Sequence, residues 1–213
     1  AAYLADHIVG AQSMPMYGTT PNAPGGIAHL KRPFFQWVVV YGTDEMQSAV
    51  HLASYLRQQG ISGTVLLEGD LTAWKAAKGA HGKTTLPTIA ADQARTLKNV
   101  VFVDARPTAK YAEGHLPGAL SLPFNGLVPP EPKAFARLLA EKRTVVLYGV
   151  EGVDEELADP ENPQKPKDVG RLLAGELRAL GKTTVRWLPG GTGAWEDAGG
   201  KLVQGTPKPR GAK

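Results

Sequence analysis

No cysteine occurs anywhere in the 213 residues. That absence excludes disulfides, thiolate nucleophiles and cysteine-ligated zinc or iron–sulfur centres together. Long hydrophobic runs are missing as well: Trp37 to Tyr41 and Val100 to Val103 are among the longest, far short of the roughly 20 residues that a membrane-spanning helix needs. No charged-then-apolar leader precedes a cleavage site, so no direct membrane insertion is expected. The charge imbalance is small, a formal +4, and basic residues do not cluster with aromatic ones on any expected face. Nucleic-acid binding is therefore not expected. A Gly-x-Ser-x-Gly elbow, a phosphate-binding Gly-x-x-x-x-Gly-Lys-Ser/Thr loop, a His-Glu-x-x-His pair and a complete Gly-x-Gly-x-x-Gly are all absent, and no cofactor is implied. A cysteine-free chain suits both a reducing cytoplasm and a bacterial periplasm, so the compartment stays open.

What is present is a pattern that occurs twice. Tyr3-Leu4-Ala5-Asp6-His7-Ile8-Val9-Gly10-Ala11 aligns with Tyr111-Ala112-Glu113-Gly114-His115-Leu116-Pro117-Gly118-Ala119, and Pro15 and Pro123 each follow four residues after the alanine. Val38-Val39-Val40-Tyr41-Gly42 aligns with Val145-Val146-Leu147-Tyr148-Gly149, and Gly69-Asp70-Leu71-Thr72-Ala73-Trp74 with Gly190-Gly191-Thr192-Gly193-Ala194-Trp195. The spacing between partners is 107 residues at Gly42 and Gly149 and grows to 121 at the tryptophans. The second copy therefore carries an insertion, placed within Val150 to Gly170.

Short β-branched runs ending at glycine, Val38 to Tyr41 and Thr144 to Tyr148, predict buried strands. Each precedes an amphipathic helix. The first spans Gln47 to Gln59 with Val50, Leu52, Ala53 and Leu56 inward; the second spans Val169 to Leu180 with Leu172, Leu173 and Leu177 inward. Gly60 and Gly181 are the stops. Strands follow at Thr64 to Leu67 and Thr184 to Leu188. The second copy opens with a helix over Ala91 to Leu97 and a strand over Val100 to Asp104, whose counterpart in the first copy would fall before residue 1. The first copy therefore lacks its initial strand, either because the chain is trimmed at its amino end or because something else completes the sheet, and a substitute strand or an exposed edge is expected there. The alternation of strand and helix predicts an α/β fold with mainly parallel sheets. The expected divisions are 1–79, a linker at 80–91, a second repeat at 92–204 with an insert at 150–168, and a basic tail at 205–213. Met16 to Pro33, rich in proline and glycine, reads as an irregular loop.

Val101-Phe102-Val103-Asp104-Ala105-Arg106, Gly114-His115-Leu116-Pro117-Gly118-Ala119, Tyr148-Gly149 after a valine strand, and Pro189-Gly190-Gly191 with Ala194-Trp195 stand in the order of the landmarks of the rhodanese (thiosulfate sulfurtransferase) fold. With its partly repeated upstream copy, the chain resembles a tandem rhodanese-like protein. Asp104 and Arg106 fall on one side of a strand end, where a buried carboxylate and a guanidinium hold each other. His115 is expected to satisfy a backbone group, not a metal, and Trp74 and Trp195 to anchor the core.

In active members of that family, the residue after the tyrosine-ending strand is the cysteine that carries sulfur. The resemblance puts Gly42 and Gly149 at those two positions, and glycine has no atom on which to form a persulfide. What remains of the pocket falls on Asp104, Arg106, Val150, Glu151, Gly152 and Val153. The following loop carries six carboxylates in eleven residues, Glu151, Asp154, Glu155, Glu156, Asp159 and Glu161, a local potential that repels thiosulfate or phosphate.

Three readings follow. The first is a non-catalytic binding, regulatory or structural subunit with a protein partner or larger assembly. The second is a sulfurtransferase relative with a different, non-cysteine activity. The third is cation binding through Asp154, Glu155, Glu156 and Asp159, although their spacing matches no calcium loop.

Overall fold

The computed structural model describes residues 2–17, 20–21, 27, 30, 37–42, 46–125, 130–149, 158–159, 162–166 and 168–207. The chain divides into two compact units, Ala1–Thr85 and Leu86–Lys213.

The first unit runs α1 (Ala2–Ala5), β1 (His7–Ile8), β2 (Met16–Tyr17), β3 (Thr20–Pro21), β4 (Val38–Val40), α2 (Met46–Gln58), β5 (Thr64–Leu66), α3 (Asp70–Ala76) and β6 (His81–Gly82). Strands β4 and β5 pair in parallel, with Val38 opposite Thr64 and Val40 opposite Leu66. The two-residue pairs β1–β6 and β2–β3 are antiparallel. Helix α2 turns Ala49, Ala53 and Leu56 onto Val38, Leu66 and Ile61. Those three positions repeat at the helical period and form one stripe. Val50, expected inward, points about 100° away from Ala49 at that period and is exposed. Of the Met16 to Pro33 segment, most residues lie outside those described, apart from the β2–β3 pair.

The second unit runs α4 (Ala91–Thr96), β7 (Val100–Asp104), α5 (Thr108–Glu113), β8 (Leu120–Ser121), α6 (Pro132–Ala140), β9 (Thr144–Tyr148), β10 (Ala158–Asp159), β11 (Asn162–Pro166), α7 (Val169–Ala179), β12 (Val185–Trp187) and α8 (Gly191–Asp197). Its sheet has the order β12-β9-β7-β8, parallel throughout. Central β9 is a continuous apolar run because both its faces are covered, and Val145 through Tyr148 are completely buried. On one side lie Leu173 and Leu177 of α7, also fully buried; Leu172, expected inward with them, is half-buried. On the other side Val146 and Tyr148 join Ile89, Ala91, Ala94, Tyr111, Leu116 and Trp195 in one cluster.

The segment 80–91, expected as a linker, is hydrogen-bonded at both ends. His81–Gly82 pairs with β1, while Ile89 N donates to Trp187 O and Trp187 N donates to Pro87 O, 2.9 Å each. The inserted segment contributes the antiparallel pair β10–β11.

Candidate functional site

The carboxyl end of β9 carries Gly149, the position at which the resemblance noted above expects a nucleophile. Gly149 follows Tyr148 there, and the first turn of α7 closes directly over it. A Cβ on Gly149 would stand 2.7 Å from both the Gly170 amide nitrogen and Val169 Cγ2. A Cβ on Gly170 would in turn overlap the Gly149 nitrogen and the Tyr148 carbonyl carbon. The two glycines let strand end and helix start meet backbone to backbone, an approach that no other residue type permits. The space that a side chain at position 149 would need is filled by the Gly170 main chain and the Val169 side chain.

The start of α7 already holds an internal anion. The Asp168 carboxylate accepts from Arg171 N at 2.9 Å and from Trp187 Nε1 at 2.8 Å. Burial pushes its carboxyl pKa up, against the opposing pull of these hydrogen bonds. It satisfies amides that a helix N-terminus otherwise offers to a bound anion.

In the first unit the amide of buried Gly42 donates to Asp70 Oδ1 at 2.8 Å. Asp70 sits at φ 53, as its counterpart Gly191 does at φ 51. The left-handed region costs a non-glycine residue about 1 kcal/mol, and at Asp70 the bond to Gly42 helps offset that cost.

Asp104 and Arg106 meet as expected. Asp104 is fully buried at the end of β7. Its carboxylate accepts from Arg106 Nη2 at 2.7 Å, from Arg106 Nε at 3.0 Å and from Arg106 N at 3.0 Å. The same guanidinium donates to Gly114 O at 2.6 Å and Thr192 Oγ1 at 3.3 Å, and lies 5.7 Å from the centre of the Tyr148 ring. With so many fixed partners the arginine ties β7, α5 and α8 together. Burial, with the Asp104 charge beside it, pushes the Tyr148 phenol well above its usual range.

The landmark loops carry the same contacts in each unit. Tyr111 Oη donates to Ala119 O at 2.8 Å, and Tyr3 Oη to Ala11 O at 2.6 Å. His115 Nδ1 lies 2.8 Å from Tyr111 O and His7 Nδ1 2.9 Å from Tyr3 O, each imidazole stacked on its tyrosine. Leu116 N donates to Tyr148 Oη, and Ile8 N donates to Tyr41 Oη. Both histidines thus satisfy a backbone carbonyl. Trp195 is buried with Nε1 on Lys201 O, while half-buried Trp74 has Nε1 on Ala80 O.

Val150, Glu151, Gly152, Val153, Asp154, Glu155 and Glu156 lie outside the described residues, as do Asp44 and Glu45; Asp159 is described as backbone in β10. Among the described residues no group of three or more His, Asp or Glu side chains could hold a metal ion, and no helix is long and apolar enough to cross a membrane. A cavity of about 370 Å³ lined by Glu141, Lys142, Lys182 and Thr184 lies at the opposite end of β9 from Gly149. Sequence reasoning missed Asp168, Gly170 and the anchoring role of Asp70. Asp168 could have been found as an N-cap two residues before a glycine in the first helical turn.

The rhodanese-like domain family matches residues 89–198. Curated proteins give no match. Among solved structures, thiosulfate sulfurtransferase from Pseudomonas aeruginosa aligns over 99% of this chain at 20% identity with a TM-score of 0.41, and this chain spans 40% of its length. The rhodanese-like domain of an Anabaena sp. protein aligns over 61% of this chain and 89% of its own, at 22% identity and a TM-score of 0.40. An anaerobic ergothioneine biosynthesis enzyme from Chlorobium limicola aligns over 78% of this chain and 47% of its own, at 20% identity and a TM-score of 0.40. With the family match covering the strand, the Asp–Arg pair, the histidine loop and the buried tryptophan, this chain belongs to the rhodanese-like domain family.

Proposed function

We propose that this chain is a non-catalytic tandem rhodanese-like module that acts by binding, as a regulatory or structural subunit, and transfers no sulfur itself. The observation that carries this reading is the closure of position 149 by the Gly170 backbone and Val169, in a chain without cysteine. Persulfide chemistry needs a sulfur atom at the strand end and open amides around it. Here the strand end is main chain against main chain, and the Asp168 and Asp70 carboxylates accept from nearby amides.

Support for the tandem division comes from the matched contacts of Tyr3, His7 and Tyr41 with those of Tyr111, His115 and Tyr148. We assign 1–79 and 92–204 to the two repeats, joined by 80–91.

The deciding experiment is a thiosulfate and cyanide turnover assay on the purified chain and on Gly149→Cys. Neither protein forms thiocyanate above the uncatalysed rate under this reading. Turnover by the unaltered chain overturns it, and turnover by Gly149→Cys shows that the site was open all along.

A further inference from the structure

At the amino ends of β9 and β12, Glu141, Lys142 and Gly181 to Thr184 line the cavity of about 370 Å³. Helices α6 and α7 both end there, at Ala140 and Ala179. Lys182 is only 7% exposed, whereas Lys142 and Thr183 on the same lining are exposed. The cavity thus has one cation buried within it and a second at its rim.

The buried cation has no partner. Lys182 donates no side-chain hydrogen bond and forms no ion pair among the described residues. Nor is its nitrogen sealed, because Ser121 Oγ is the sole described side-chain atom that is both shut off from solvent and unpartnered. The small exposure that Lys182 retains therefore opens onto the cavity it lines. A lysine that merely snorkels ends in bulk water, and this one lies too deep for that. Burial pushes its ammonium pKa down, and Glu141 pulls it only partly back.

Neighbouring groups leave that ammonium unused. Glu141, the acid on the lining, accepts from Arg143 Nη2 at 2.7 Å, from Arg143 Nε at 3.0 Å and from Arg143 N at 3.1 Å. The last carbonyls of α7 accept from backbone amides: Glu176 O from Leu180 N, Arg178 O from Gly181 N and Leu177 O from Lys182 N. The negative helix end favours a cation nearby, yet the Lys182 side chain donates to none of these oxygens. With Glu141 and Arg143 paired, Lys142 and Lys182 contribute two positive charges that no acid on the lining meets. A buried charge without a partner is costly, and such groups concentrate where proteins bind ligands.

We propose that this cavity binds the phosphate group of a small metabolite, with the Lys182 ammonium as its inner charge partner and Lys142 as its outer one. A phosphate group carries about −1.5 to −2 at neutral pH, which matches two ammonium groups, whereas a single carboxylate leaves one of them unmet. Lysine serves phosphate as a point charge and needs no fixed fork geometry. The Thr183 hydroxyl on the same lining adds a donor. A volume of about 370 Å³ is at the small end of the roughly 300–1,000 Å³ of ligand pockets, which suits a small metabolite. The site is separate from the Gly149 strand end, and its occupation does not depend on whether sulfur is transferred there.

The test is a calorimetric titration of the full-length chain with inorganic phosphate, at an ionic strength held constant with potassium chloride so that general screening does not contribute. One phosphate binds per chain, saturably, and raises the melting temperature; acetate binds about tenfold more weakly or less. Lys182→Met removes the charge, keeps an unbranched stem and abolishes the saturable heat. In phosphate-free buffer this variant melts no lower than the unaltered chain, because an uncompensated buried charge has gone. Lys142→Met, at an exposed position that leaves folding intact, weakens binding about tenfold and decides the matter alone should Lys182→Met fail to fold. Absence of saturable binding, unchanged binding by either variant, or acetate binding as tightly as phosphate overturns the proposal.

Discussion

Gly149 and Gly170 touch through their backbones, with 2.7 Å from a Cβ position on the first to the amide nitrogen of the second. One comes from the end of a strand and the other from the first turn of a helix 21 residues later. Neither can acquire a side chain unless the helix moves. Because Leu173, Ala174 and Leu177 of that helix are fully buried against the sheet, such a movement disturbs the core.

Alanine at either position is therefore costly. Gly149→Ala and Gly170→Ala are each expected to lower unfolding free energy by about 1–3 kcal/mol, the range for overpacking a close contact. Gly193→Ala is the control: it lies on a helix with nothing near a Cβ, so it is neutral or slightly stabilising by helix propensity. Urea denaturation of the three variants checks the order. Equal midpoints for all of them would mean that α7 yields easily and that position 149 is not closed.

The buried ion pair gives a second prediction. Asp104 is completely buried and its charge is met by Arg106 through four hydrogen bonds from three nitrogens. Arg106→Ala leaves that carboxylate uncompensated and is expected to cost about 3–5 kcal/mol. Arg106→Lys recovers only part of this, because an ammonium cannot reach Asp104, Gly114 O and Thr192 together in the fork geometry of a guanidinium. Denaturant midpoints in the order unaltered, lysine, alanine support the account; lysine matching arginine would reject the bridging role.

Much of this was legible in the chain before any coordinates. The strands Val100 to Asp104 and Thr144 to Tyr148 are uninterrupted β-branched runs bounded by polar residues, and they form as expected. Asp104 and Arg106 stand two apart at a strand end, which fixes their proximity locally. The Gly149–Gly170 contact was not legible, because it joins residues across an insertion whose path no local pattern specifies. Val50 misled for a different reason: in α2 two alanines, Ala49 and Ala53, form the buried stripe with Leu56, and hydrophobicity alone favours the larger valine. The role of Asp70 depends on a positive φ that sequence assigns more readily to glycine, which stands at the matching position 191.

Acid should reveal the Asp6 contacts. Asp6 lies 2.7 Å from Lys75 Nζ and 2.9 Å from His81 Nδ1, and the hydrogen bonds from these two partners hold its carboxyl pKa down at about 2. A carboxyl depressed in the folded state adds stability above its unfolded pKa, about 3.9, which is lost as pH falls through the folded value. The stability that Asp6 adds over Asp6→Asn should therefore be present at about pH 5 and be lost as pH falls through about 2, vanishing only below it. Melting curves across that range measure it. A difference that does not fall between pH 5 and pH 2 would assign the effect to packing and not to charge.

The two tyrosines that receive a backbone amide separate the effect of burial from that of the hydrogen bond itself. Tyr148 Oη accepts from Leu116 N at 3.1 Å, and Tyr41 Oη accepts from Ile8 N at 3.0 Å, so the bonds are alike in geometry. Their surroundings differ: Tyr148 is fully buried beneath Ile89, Ala91 and Ala94, and Tyr41 is half-buried. Tyr148→Phe strands an amide where water cannot replace the lost oxygen and is expected to cost about 1–3 kcal/mol. At Tyr41→Phe, water can reach Ile8 N, so the loss should fall toward the roughly 0.5–1.5 kcal/mol of a solvent-compensated bond. Urea denaturation of the two single variants against the unaltered chain measures both losses. Equal losses at the two positions would show that burial of the tyrosine does not set the cost of stranding its amide partner.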